Sequence, residues 1–143
     1  MKLLCCLLIA LSAFCDDFIR DDTNGIITDN RSGLQWQDDA NASLSPTAWQ
    51  GAIERCEGLA LGGYDDWRLP NINELLTIVD YSRFNPALAS AFQNSALSRY
   101  WSSTSYVANP QVGWTILFTE AAEFVDDKNI ECYVRCVRGS LSE

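Results

Sequence analysis

Gly62-Gly63-Tyr64-Asp65-Asp66-Trp67-Arg68-Leu69-Pro70 runs directly into Asn71-Ile72-Asn73-Glu74-Leu75. A glycine pair supplies a turn, because glycine alone reaches positive φ freely. An extended piece follows and Pro70 stops it. Asn71 then caps a helix, and Glu74 three residues later completes a capping box. Trp67 reads as buried. Arg68 reads as ion-paired to Glu74, Asp65 or Asp66, its planar fork tying the loop to the helix start. Trp67, Arg68, Pro70 and Glu74 thus form a structural motif rather than an anion hook.

Upstream, Ile26-Ile27-Thr28 and Gly33-Leu34-Gln35-Trp36 flank Asp29-Asn30-Arg31-Ser32, the pattern of a hairpin. Residues 16 to 24 read as a polar lead-in. Ser45 with Pro46 starts a helix over 46 to 59, on which Trp49, Ile53, Cys56 and Ala60 recur at helical spacing. On the second helix, Ile72, Leu75, Leu76 and Val79 make the apolar face. Residues 81 to 99 read as irregular, with a short helix near 87 to 92. Downstream the period becomes two. Strands are expected at 100 to 104, at 112 to 118, at 123 to 125 and from Ile130 to Val137, with a turn at 126 to 129. Helices first and strands after give an α+β domain with an antiparallel sheet.

The chain has 143 residues. Lys2, the apolar run Leu3 to Leu11, and Ala13-Phe14-Cys15 read as a signal peptide, residues 1 to 15, cut after Cys15. The run is shorter than the ~20 residues that span a bilayer, so no stable membrane span is expected. Phe14 is too bulky for the position before a lipid-modified cysteine. Residues 16 to 143 then form one domain carrying nine basic and nineteen acidic side chains, net −10. That sign opposes nucleic acid as a partner, and opposes sulfated polysaccharides unless the eight arginines share a face.

Cys56, Cys132 and Cys136 remain after the cut, and three cannot all pair. On one strand Cys132 and Cys136 would lie ~13 Å apart at ~3.3 Å per residue. A disulfide needs Cα atoms within ~7 Å. Cys56 therefore pairs with one of the two; the other is free, joins another chain, or joins Cys15 if cleavage falls earlier. No CxxC spacing and no histidine occur, so no metal or cofactor is expected. Asp21-Asp22, Asp38-Asp39, Asp65-Asp66 and Asp126-Asp127 are acidic, but turn chemistry explains such clusters without an ion.

The hairpin Gly33 to Trp36, the Trp49 to Cys56 helix, Gly62 to Pro70 with Glu74-Leu75, Tyr100-Trp101-Ser102-Ser103-Thr104, and Tyr133 to Gly139 together resemble the bacterial Lcl C-terminal domain family. More distantly, the chain resembles the C-type-lectin-like fold. The resemblance implies two helices on a small antiparallel sheet, closed by a helix-to-last-strand disulfide, and so favours Cys136 as the partner of Cys56. It also implies an exported domain at the cell surface or in the periplasm. Cys132 departs from the family pattern, and the acidic balance departs from the basic surface expected of a binder of sulfated glycans.

Of the five tryptophans, Trp36, Trp49, Trp67 and Trp114 read as core. Trp101, followed by hydroxyl side chains, is the candidate ligand contact together with Ser102 and Ser103, weighed against ordinary core packing. Without histidine the usual base for a serine or cysteine nucleophile is missing. The reading is a non-enzymatic binding module for a glycan or protein. A carboxylate-based glycan hydrolase and a subunit that self-assembles, through Cys132, are the alternatives.

Overall fold

The computed structural model describes residues 16–140; the expected signal peptide lies outside the described residues. Among the described residues seven strands make two antiparallel sheets rather than one, accompanied by two short α-helices. The first sheet has the order β1 (Phe18–Asp21), β2 (Ile26–Asp29), β3 (Gln35–Gln37), β7 (Val137–Arg138). The second is the meander β4 (Arg99–Tyr106), β5 (Asn109–Leu117), β6 (Ala122–Asp127). Helices α1 (Trp49–Glu57) and α2 (Ile72–Leu76) lie between them in sequence.

The expected hairpin forms, with Ile27 opposite Trp36. The residues before it are not a mere lead-in, because β1 adds a strand to that hairpin. The first helix begins at Trp49, not at residue 46, and no side chain caps it. Thr47 is the reason: it exchanges both backbone hydrogen bonds with Cys132, at 2.9 and 3.0 Å, and so is extended. Ala60 falls beyond the helix and is exposed. No helix forms at 87 to 92, where Leu88 instead bridges Val79.

The expected strand from Ile130 to Val137 is broken into successive pairings. Cys132 meets Thr47, Tyr133 meets β4, and Val137 meets both Arg68 and Trp36. One segment thereby ties the α1 entry, both sheets and the Trp67-Arg68 stretch together. Cys56 and Cys136 form the disulfide, Cα atoms 5.4 Å apart, linking α1 to the residue before β7.

Two buried clusters result. Leu34, Trp36, Leu75, Ile78, Tyr100, Ile116 and Phe118 pack between the sheets and α2. Ala52, the disulfide, Trp67, Trp101, Cys132 and Val134 pack beneath α1. Among the described residues no helix is long and apolar enough to cross a membrane.

Candidate functional site

The Trp67-Arg68 motif is a joint. Gly62 takes φ 67°, and a β-carbon there would sit 2.4 Å from Ile26 Cδ1. Trp67 is 2% exposed and its indole N–H donates to Leu61 O at 3.0 Å. Arg68 Nη1 and Nη2 donate to Glu74 Oε1 and Oε2 at 2.7 and 2.6 Å. Glu74 also accepts the Asn71 backbone N–H at 2.9 Å, closing the capping box on α2. Burial pushes the Glu74 carboxyl up, but Arg68 and the Asn71 N–H outweigh it and hold it below its ordinary value. Pro70 is buried, and its carbonyl accepts from Ser103 N–H at 2.8 Å.

The sequence reading of Trp101, Ser102 and Ser103 as a ligand contact is corrected. Trp101 and Ser102 are fully buried; only Ser103 is exposed. Trp101 donates its indole N–H to Thr47 O at 2.8 Å. The register of β4 on β5 jumps between Trp101 and Ser105, leaving Trp114 out of the ladder. Ser102 Oγ donates to the Trp114 carbonyl at 2.7 Å, and Thr104 Oγ1 accepts the Ile72 N–H at 3.0 Å. The Ser102 hydroxyl satisfies a carbonyl stranded by the register shift, and the Thr104 hydroxyl satisfies a first-turn N–H of α2. Trp36 is core as expected. Trp49 and Trp114 are only partly buried: Lys128 lies 3.8 Å over the Trp49 ring, and Tyr106 meets Trp114 edge-on at the surface.

The acidic clusters are largely paired. Asp38 is fully buried and accepts Arg135 Nη1 at 2.7 Å, a contact from Arg20, and the Gln93 N–H at 2.8 Å. Arg135 is fully buried too. Sequence reasoning missed this pair, although an arginine between Val134 and Cys136 was a signal, since a charge in an apolar run needs a buried partner. Asp126 joins Arg99 and accepts Thr115 Oγ1 at 2.6 Å, and Asp66 takes Arg138 Nε at 2.7 Å.

The exposed site lies elsewhere. A shallow cleft of about 300 Å³ is lined by Asp17, Phe18, Arg31, Asp80, Tyr81 and Ser90 among others. A cleft of about 380 Å³ continues it through Asp17, Phe18 and Ser90, and one of about 400 Å³ continues it through Arg31 and Val79. Arg31 stands at its centre in a fixed pose. Its Nε donates to buried Asp29 at 3.1 Å, its Nη2 to the Thr77 carbonyl at 2.9 Å, and it lies 4.5 Å over the Phe18 ring. Its Nη1 makes no hydrogen bond among the described residues. Asp80 accepts Ser82 Oγ at 2.6 Å and Ser82 N–H at 2.9 Å, which hold its carboxyl below its ordinary value. Tyr81 is 75% exposed on the rim, with Phe84 at 76% three residues on. The sequence signal was there: two aromatics in a polar loop with no period to bury them.

The sequence model of the Lcl C-terminal domain matches residues 25–138. The chain belongs to the Lcl C-terminal domain family. No curated protein matches it. The Lcl C-terminal domain match takes in Arg31, Asp80 and Tyr81 but not Phe18 of β1 or Asp17 just before it.

Proposed function

We propose that this Lcl C-terminal domain is a non-enzymatic binding module, exported to the cell surface or periplasm, and that the Arg31 groove takes a neutral saccharide. The observation that carries the reading is the clamped guanidinium, its Nη1 unbonded among the described residues, in a cleft edged by the exposed ring of Tyr81. An aromatic face can stack on a pyranose, while Arg31 donates to hydroxyls and Asp17 and Asp80 accept from them. The carboxylates on the rim disfavour sulfated or phosphorylated ligands. The disulfide linking α1 to the last strand supports export and a C-type-lectin-like arrangement.

The hydrolase reading is less well supported. A general acid must hold its proton near neutral pH, and Asp80 is shifted the other way. Assembly through Cys132 is also disfavoured, because that thiol is 3% exposed.

Titration of the full chain against neutral oligosaccharides tests the proposal. Tyr81→Ala removes an exposed ring, so it should abolish binding and leave the melting temperature unchanged. Saccharide binding indifferent to Tyr81→Ala, or none across a broad glycan set, would overturn it.

A further inference from the structure

Two Asn-x-Ser tripeptides occur, Asn30-Arg31-Ser32 and Asn41-Ala42-Ser43, and only the second carries an acidic residue two positions upstream, Asp39. Such tripeptides accept N-linked glycans where they stand on the surface of an exported protein. The more demanding oligosaccharyltransferases also read the upstream carboxylate.

We propose that Asn41 is an N-glycan acceptor and Asn30 is not; this rests on the export reading. Asn30 is tied into the β2–β3 turn. Its backbone N–H donates to Asp17 O and its Nδ2 to Asp16 O, each at 2.8 Å. The residue at the upstream position is Thr28, inside β2. Asn41 is exposed on a 3₁₀ turn, Ala40–Ser43, with no side-chain cap. Its Nδ2 makes one long hydrogen bond, 3.2 Å, to Asp39 Oδ2. Of the turn's other bonds, Ala42 N–H to Asp39 O is ordinary at 3.1 Å, while Ser43 Oγ to Ala40 O at 3.2 Å and Leu44 N–H to Asn41 O at 3.5 Å are long. The backbone beneath Asn41 is held, upstream by the buried Asp38 carboxylate and within the tripeptide by Ala42, which is fully buried and whose carbonyl accepts Tyr100 Oη at 2.7 Å. The exposed Asn41 side chain therefore projects from an anchored backbone, and freeing its amide breaks one surface contact, the bond to Asp39.

In the transfer, Nδ2 attacks the anomeric carbon of an oligosaccharide carried on a polyprenyl diphosphate. The C–N bond forms as the C–O bond to diphosphate breaks. The lipid diphosphate leaves with the electron pair, and the amide proton passes to a carboxylate of the transferase. Asn41 borders a cleft of about 260 Å³ with Gln37, Ser45, Arg55, Leu59 and Cys136. That cleft shares no lining residue with the Arg31 groove, so a glycan here leaves the groove open.

The test incubates the folded full chain with a carboxylate-requiring single-subunit oligosaccharyltransferase and its lipid-linked oligosaccharide, then maps peptides by mass spectrometry. One glycan should appear, on Asn41. Asn41→Gln and Asp39→Asn should lose it, and Asn30→Gln should keep it. No transfer to the folded chain, transfer only after unfolding, or a glycan on Asn30 would overturn the proposal. Export is read separately by cell fractionation. A chain modified in the reaction but retained in the cytoplasm would uphold the acceptor and remove the export reading alone.

Discussion

At the scale of single residues, Glu74 does three things at once: it caps α2, pairs with Arg68, and sits 2% exposed. Its folded carboxyl is held below its ordinary value of 4.5. A lowered value means stability that is complete above the unfolded-state range and is lost as pH falls through the folded value. Arg68→Ala should therefore cost most near neutrality and little in strong acid, which melting temperatures across that range would check. Trp67→Ala removes a buried indole and should cost ~3–5 kcal/mol, or lower the melting temperature by roughly 10 °C or more. An unchanged melting temperature for both variants would make the motif a binding surface instead of a joint. These roles were legible in sequence because a glycine turn, a proline stop and a capping box lie within fifteen residues and need no distant partner. Arg135 was not, because its partner Asp38 is 97 residues away.

At the scale of elements, the legible parts were those with their own period or punctuation: the hairpin, α2, and strands β4 to β6. The illegible ones were fixed by pairing across the chain. Thr47 is drawn out of α1 by Cys132, and the last strand is divided because Tyr133 and Val137 answer to different neighbours. The candidate site escaped sequence reading for the same reason, since β1, the β2–β3 turn and the 79–81 loop converge only in three dimensions. The disulfide is the strongest tie between elements. It spans 80 residues and on the chain-entropy model contributes about 4 kcal/mol. In a Cys132→Ala variant of a chain beginning at Asp16, where no third thiol can exchange, reduction should lower the denaturant midpoint without changing the spectrum of the native state. No change in midpoint would show that the closed loop is already ordered when unfolded.

At the scale of the whole molecule, charge is organised by pairing. Among the described residues six of the eight arginines face carboxylates within 4.0 Å: Arg20, Arg31, Arg68, Arg99, Arg135 and Arg138. They are spread over both sheets and their connections rather than gathered on one face. The net acidity is therefore left to unpaired surface aspartates and glutamates. The protein should pass through a heparin column at physiological salt and bind DNA no better, because counterion release needs clustered free cations. Retention that collapses with added salt would reveal a cationic face this pairing does not predict.

Cys132 gives the molecule a built-in clock. Its thiol is 3% exposed, pinned by the backbone pair with Thr47, and pushed up to about 12 by burial and by the charge of Asp126, against a smaller opposing pull from Arg99. A thiolate is what an alkylating reagent consumes, so the folded chain should be inert to iodoacetamide. Reaction becomes possible each time the Thr47–Cys132 contact parts. In a chain beginning at Asp16 there is one such thiol, and its labelling rate across denaturant concentrations reads the free energy of that opening. Because the segment it marks touches α1 and both sheets, labelling should track global unfolding and lose its protection only when the second cluster comes apart.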